Sequence, residues 1–438
     1  MRERPRFMAL ATAEITTSND FGPAVGLSCR ECGTRYPLGP SFACIECFGP
    51  LEVAYTWSGP DFDGAAPVTR EQIAAGPANI WRYRALLPVP ADVAAKPNLA
   101  PGWTKLVKAD NLARELGLRS LHVKDDSGNP THSFKDRVVA IALEAARTFG
   151  FHTLSCSSTG NLAGAVTAAA ARAGLDACVF IPADLEEPKI VMASVYGGRL
   201  VGIEGTYDEV NRFCSELIGD PLGDRWGFVN VNLRPYYAEG SKTLAYEIAE
   251  QLGWRIPDQI VIPVASGSQL TKIDKGFKEL IKLGLVEDKP YKIFAAQAEG
   301  CSPVSAAFKA GREVVQPVKP RTIAKSLAIG NPADGPYVLD IARRTAGAVE
   351  DVTDAEIVDA VRLLARTEGI FAETAGGVTV GVLKKLTEKG LLDPEAETVV
   401  LNTGDGLKTL DAVASGARPT AVIRPSLDAF RTAVVENS

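Results

Sequence analysis

From about residue 118 onward, short apolar runs alternate with amphipathic stretches of helix length, and this rhythm restricts the fold more than any other feature of the 438-residue chain. The runs 121–124, 153–156, 177–181, 199–203, 259–262, 291–295 and 398–401 read as strands. Between them, 133–149, 160–172, 188–196, 207–218, 354–367 and 376–389 carry helical spacing. Strands separated by helices pair in parallel, because the intervening helix returns the chain to the same end of the sheet. The expected body is therefore α/β, with mostly parallel sheets covered by helices on both faces. The chain is longer than one core usually fills, so two or three domains are expected.

Residues 20–60 break the rhythm. They are rich in Gly, Pro and Cys without a helical period, and read as a small stapled module joined onward by Pro-rich stretches at 60–77 and 88–101. Cys29-x-x-Cys32 and Cys44-x-x-Cys47 lie eleven residues apart. Two such pairs can surround one tetrahedral Zn2+ with four thiolates, a closed and hence structural site; the other reading is a pair of reduced knuckles without metal. Arg30 and Arg35 are the only basic residues in the module, which argues against a nucleic-acid-binding ribbon. The remaining cysteines (156, 178, 214 and 301) lie in apolar segments and read as small buried hydrophobes.

Charge and hydropathy remove other classes. A net charge of -6 gives no global attraction for nucleic acid or an anionic membrane, and no Lys/Arg run marks a local basic patch. No apolar run approaches the roughly 18 residues of a membrane span, and the apolar run after the basic start is too short for a signal segment, so a cytoplasmic protein is expected. Three histidines (122, 132 and 152) leave little for a multi-histidine metal site or a Ser-His-Asp hydrolase.

Four strand-end loops carry the candidate chemistry. Ser133-Phe134-Lys135-Asp136-Arg137 opens a helix, with Ser133 placed to cap it and Asp136 to complement its dipole. Lys135 opposes that dipole, which would depress its amine toward the range Schiff-base chemistry requires. Ser157-Ser158-Thr159-Gly160-Asn161 sets hydroxyls and amides at a helix start, an arrangement suited to a carboxylate and equally to plain capping. Ala265-Ser266-Gly267-Ser268-Gln269 lets backbone amides approach a phosphate, though it is neither a Walker loop nor G-x-G-x-x-G. Asn402-Thr403-Gly404-Asp405-Gly406 is a tight turn that could present Thr403. His132, three residues before Lys135, reads as a loop residue with a structural hydrogen bond.

In order, these loops resemble the fold-type II pyridoxal-phosphate enzymes and, within them, the threonine synthase branch. Glu239-Gly240-Ser241-Lys242-Thr243, Ile329-Gly330-Asn331-Pro332 and Thr403 through Lys408 add to the resemblance, which covers nearly the whole chain. It implies two open, twisted, mostly parallel sheets: a large cofactor domain over 61–150 and 240–438, and a small mobile domain over 151–239. It also implies a homodimer.

For the residues, the resemblance implies a Schiff base on Lys135 and a donor to the cofactor's phenolate oxygen from Asn161. Ala265, Ser266, Gly267, Ser268 and Gln269 would hold its phosphate, and Thr403 would meet the pyridine nitrogen. Ser158 and Thr159 would take the substrate carboxylate. The implied reaction turns O-phospho-L-homoserine and water into L-threonine and phosphate, the leaving phosphate falling to Arg234 with Asn232 and Lys242 behind it. Two departures bear on the substrate: Tyr236-Tyr237 stands where the branch has an arginine before Glu239-Gly240, and Asp405 where it often has histidine. Alternatives are a paralogue such as cysteate synthase, acting on phosphoserine and sulfite, a hydroxy-amino-acid dehydratase, or a catalytically silent zinc-ribbon interaction protein.

Overall fold

The computed structural model describes residues 20–58, 66–158, 160–183, 187–205, 207–415 and 417–435. Its strands are β1 (Ala24–Cys29), β2 (Arg35–Tyr36), β3 (Leu51–Tyr55), β4 (Lys105–Lys108), β5 (Ser120–Asp125), β6 (Thr153–Ser157), β7 (Asp176–Pro182), β8 (Arg199–Ile203), β9 (Trp226–Phe228), β10 (Gln259–Pro263), β11 (Lys292–Ala298), β12 (Val349–Val352) and β13 (Glu397–Asn402). The helices needed below are α1 (Lys135–Thr148), α2 (Asn161–Ala173), α3 (Arg234–Glu239), α4 (Lys242–Gln251), α5 (Ser268–Lys282) and α6 (Thr374–Glu388).

Three sheets form. The largest runs β12-β11-β10-β13-β5-β4, parallel throughout except for β4, which pairs antiparallel with β5 at the edge. The second runs β8-β7-β6-β9 and is wholly parallel. The third, β2-β1-β3, is the antiparallel sheet of the cysteine module. Central strands such as β6 and β10 are buried at every residue, as continuous apolar runs covered on both faces must be. The α/β architecture with mostly parallel sheets is thus present as the alternation implied. Strands β4, β9 and β12 lay outside the expected set: KLVK, WGF and VEDV are too short or too polar to stand out.

The module is not an appendage. Leu27, Leu51, Val53, Tyr55 and Trp57 belong to the same buried cluster as α1, α2 and α4. Lys242, at the start of α4, is fully buried and pairs with Glu239 (2.7 Å) and Glu279 (2.9 Å), with its ammonium 4.1 Å from the centre of the Tyr55 ring. Lys272 of α5 reaches Glu52 of β3 at 2.9 Å. A second core under the other face of the large sheet is closed by α6. No helix among the described residues is long and apolar enough to cross a membrane.

Because every strand but β4 in the two larger sheets runs the same way as its neighbours, the loops that leave β5, β6, β10 and β13 emerge at carboxyl ends, the usual place for a ligand crevice. Those are the four loops singled out above.

Candidate active site

The loops meet around one pocket. Lys135, Ser158, Gly160, Asn161, Tyr237, Ala265 through Gln269, Ser326 and Thr403 all line it. Lys135 is the first residue of α1, and its Nζ lies 3.2 Å from the Tyr237 hydroxyl and 4.6 Å from the centre of the Phe134 ring. Burial depresses its amine from the ordinary 10.5 to about 8, only partly offset by nearby acidic groups. A lysine so placed holds a far larger neutral fraction near physiological pH than an ordinary lysine, and in that form can act as a nucleophile or a base.

The cap of α1 differs from the expectation. Phe134, not Ser133, is the capping residue and makes no side-chain cap. Ser133 instead bridges to Gly404, while Phe134 N donates to Thr403 O at 3.0 Å, so tertiary pairing between two strand-end loops replaces local capping. Asp136 turns back and accepts from Thr131 N and Oγ1, both at 2.7 Å. His132 is exposed with φ +61°, and its carbonyl accepts from Asp405 N at 3.1 Å, a structural loop residue.

Asn161, buried at the start of α2, donates from Nδ2 to Glu373 Oε2 at 2.6 Å and accepts at Oδ1 from Lys408 Nζ at 3.1 Å. The Ser158 hydroxyl accepts from Gly160 N and Ala163 N, both at 3.1 Å, so it caps α2 while lining the pocket. Thr159 lies outside the described residues. At the loop after β10, Gly267 has φ +97°, and a Cβ there would come within 2.8 Å of Val338 and 2.9 Å of Asp334. Glycine is therefore required, and the 15-residue α5 starts beyond it without a cap from Gly267, its first amide, Ser268 N, donating to Ser266 Oγ at 3.4 Å.

The three groups expected to hold a leaving phosphate are not in the pocket lining. Asn232 closes the turn after β9, accepting from Phe228 N at 2.8 Å and donating to Trp226 O at 3.2 Å. Lys242 is spent on the buried ion pairs described above. Arg234 pairs with Asp334 at 2.8 Å, beside the Gly267 turn. Neighbours in sequence to Glu239-Gly240 thus became scaffold, because α3 and α4 pack inward. A different cation approaches: the Lys189 Nζ and Ser326 Cβ each lie 3.7 Å from the point where a Gly160 Cβ would sit.

Tyr237, Glu373 and Lys408 were missed by sequence reasoning as site residues. Tyr237 was visible only as an unexpected tyrosine, Glu373 as an ordinary acid before a helix, and Lys408 as part of a motif with no role attached.

In the N-terminal module, Cys29, Cys32, Cys44 and Cys47 bring their sulfurs within 4.8 Å of one another. Pairs at 3.5 Å (29–47), 3.6 Å (32–44) and 3.5 Å (32–47) approach the tetrahedral edge of about 3.8 Å that Zn–S bonds of about 2.3 Å would give. None of the four is in a disulfide.

Comparison with known proteins agrees with this geometry. A family model described as pyridoxal-phosphate dependent enzyme matches residues 98–404. Threonine synthase from Methanocaldococcus jannaschii is 35% identical over 386 residues, covering 88% of this chain and 93% of that one. Threonine synthase from Methanosarcina acetivorans is 34% identical over 415 residues, covering 93% and 98%. Among solved structures, holo diaminopropionate ammonia lyase from Escherichia coli aligns with a TM-score of 0.61 at 18% identity, over 82% of this chain and 97% of that one. The processed form of threonine deaminase isoform 2 from Solanum lycopersicum aligns at 0.60 and 19%, over 78% and 96%. These two likenesses concern the fold alone.

Proposed function

The chain belongs to the pyridoxal-phosphate dependent enzymes and, among them, to the threonine synthases, and on that premise we propose that it converts O-phospho-L-homoserine and water into L-threonine and phosphate. The observation that carries the proposal is Lys135: a desolvated amine at a helix start, facing a pocket walled by all four strand-end loops.

The residues fit the cofactor. The Gly267 turn leaves no room for a Cβ and leads into the start of a 15-residue helix beside the Ser266 and Ser268 hydroxyls, a setting suited to a phosphate. Ser266 through Gln269 would hold that phosphate, Thr403 would meet the ring nitrogen, and Asn161 the ring oxygen. When bound, pyridoxal phosphate supplies an electron sink for carbanion chemistry at an amino acid's carbons. Lys135 would hold it and move protons at those carbons, a task suited to an amine poised near 8. The loop 157–161 would orient the substrate carboxylate. For the leaving phosphate, Lys189 and Ser326 are better placed than Asn232 and Lys242, since they converge on pocket-lining Gly160.

The same reading includes one structural zinc on the four cysteines and a cytoplasmic homodimer. The four sulfurs gathered within 4.8 Å of one another support the first, and the resemblance supports the homodimer.

The test is product analysis with phosphohomoserine and with phosphoserine plus sulfite, side by side. Threonine and an equivalent of phosphate are expected from the first alone. Turnover of phosphoserine without phosphohomoserine would overturn the substrate. Borohydride reduction and peptide mapping should label Lys135, and a label on another lysine would overturn the site.

A further inference from the structure

Glu373 immediately precedes α6 with extended backbone (φ -58°, ψ 159°), the geometry of a residue that could cap the helix with its own side chain, yet it makes no cap. Its side chain turns into the molecule, where it is fully buried. Oε2 accepts from Asn161 Nδ2 at 2.6 Å, and Oε1 is buried without a hydrogen-bond partner. The chain makes room for it. A Cβ on Gly404 would fall 2.2 Å from Glu373 Oε2 and 3.4 Å from Asn161 Nδ2, so the glycine of the Thr403-Gly404-Asp405 turn admits this carboxylate. On the other side Lys408, itself buried, donates from Nζ to Thr131 O at 2.5 Å and to Asn161 Oδ1 at 3.1 Å.

Asn161 is therefore held at both ends by groups of opposite charge. The carboxylate accepts only from its amide nitrogen and the ammonium donates only to its amide oxygen, so the pair dictates which way the side chain faces. Two hydroxyl partners, each able to donate or to accept, would leave the two orientations nearly equivalent. An unpaired oxygen on a buried carboxylate is costly to keep, and such groups are retained where a charge is needed.

We infer that Glu373 is a positioning residue of the active site: with Lys408 it locks the orientation of Asn161, and its carboxylate keeps a proton at the centre formed by Lys135 and its cofactor. The inference rests on the cofactor reading above. The titratable groups around this point are Lys135 and Asp136 of α1, Cys156 of β6, Tyr237 of α3, and Asp405 and Lys408 beyond β13, with Lys189 behind Gly160. Burial weakens the hold of Lys135 on its proton, and Glu373 is the carboxylate whose charge opposes that effect. Lys408 carries the opposite charge at the other end of Asn161, so the two should act with opposite sign.

The experiment is a pH titration of the bound cofactor's absorbance in the full-length holoenzyme, comparing wild type with Glu373→Gln, Glu373→Asp and Lys408→Met. Glu373→Gln keeps shape while removing charge. Its midpoint should fall by about one pH unit or more, Lys408→Met should raise it, and Glu373→Asp should return it toward wild type. General damage to packing would not move two variants in opposite directions. Unchanged midpoints in Glu373→Gln, or both charge variants moving the same way, would overturn the inference while leaving the cofactor reading intact. Wild-type protein that takes up no pyridoxal phosphate would overturn both. Should Glu373→Gln not accumulate as folded protein, the Glu373→Asp and Lys408→Met titrations decide alone: a midpoint raised in Lys408→Met supports the inference, and none raised refutes it.

Discussion

Arg137 stands two residues beyond Lys135 on α1 and is fully buried. It donates to both oxygens of Asp126 at 2.8 Å, to both oxygens of Glu247, and to the hydroxyls of Thr104 (3.0 Å) and Thr243 (3.1 Å). Lys124 completes the group, reaching Glu247 Oε2 at 2.7 Å, so two buried cations balance two buried carboxylates. Replacing Arg137 by Met retains most of the volume and leaves one negative charge uncompensated. Breaking such a set costs about 3–5 kcal/mol. Glu247 gives a consistent figure: burial alone would raise its carboxyl, but Arg137 and Lys124 hold it at about 2 instead of 4.5, worth about 3 kcal/mol. That contribution is complete above the unfolded-state value near 4.5 and is lost as pH falls through the folded value near 2. The cost of Arg137→Met, read by equilibrium urea unfolding, should therefore be about 3–5 kcal/mol at pH 7 and shrink to about 1–2 kcal/mol at pH 3. Adding Asp126→Asn, which restores neutrality, should recover a substantial part at pH 7. A loss below 1 kcal/mol at pH 7, or a cost that does not diminish in acid, would refute the electrostatic account.

Gly267→Ala forces a side chain onto φ +97° and against Val338 and Asp334, so spectrophotometric titration should show pyridoxal phosphate binding weakened at least about tenfold, with thermal stability changed by only a few degrees. Since the Lys135 amine is half neutral near pH 8, the rate of cofactor uptake by apoenzyme should rise between about pH 7 and 9 with a midpoint near 8; a flat profile would show that Lys135 is not the reacting amine. Metal analysis of protein purified without chelator should give close to one zinc per chain, falling to a small fraction in a Cys29→Ser/Cys44→Ser variant; less than about a tenth of an equivalent in the wild type would refute the site.

What the amino-acid sequence decided by itself is whatever depends on local periodicity and spacing. The apolar runs at 153–156, 259–262 and 398–401 could only be strands covered on both faces, and the loops that follow them had to lie at carboxyl ends, so Lys135, Asn161, the Ala265–Gln269 turn and Thr403 could be singled out from spacing and resemblance and are found in one pocket. The two Cys-x-x-Cys pairs were equally visible, since their short loops bring four sulfurs together with little help from the rest of the fold. Charged residues behaved differently. Arg234 and Lys242 read as phosphate binders, yet one faces Asp334 and the other Glu239 and Glu279, partners that for the most part lie tens of residues away. Glu373 carries no signal in the sequence and Tyr237 only that of a missing arginine, yet they brace and line the site. A side chain's charge is set by its type, but its role is set by which opposite charge the packing brings to it, and that pairing is decided only when α3, α4 and α6 close on the sheets.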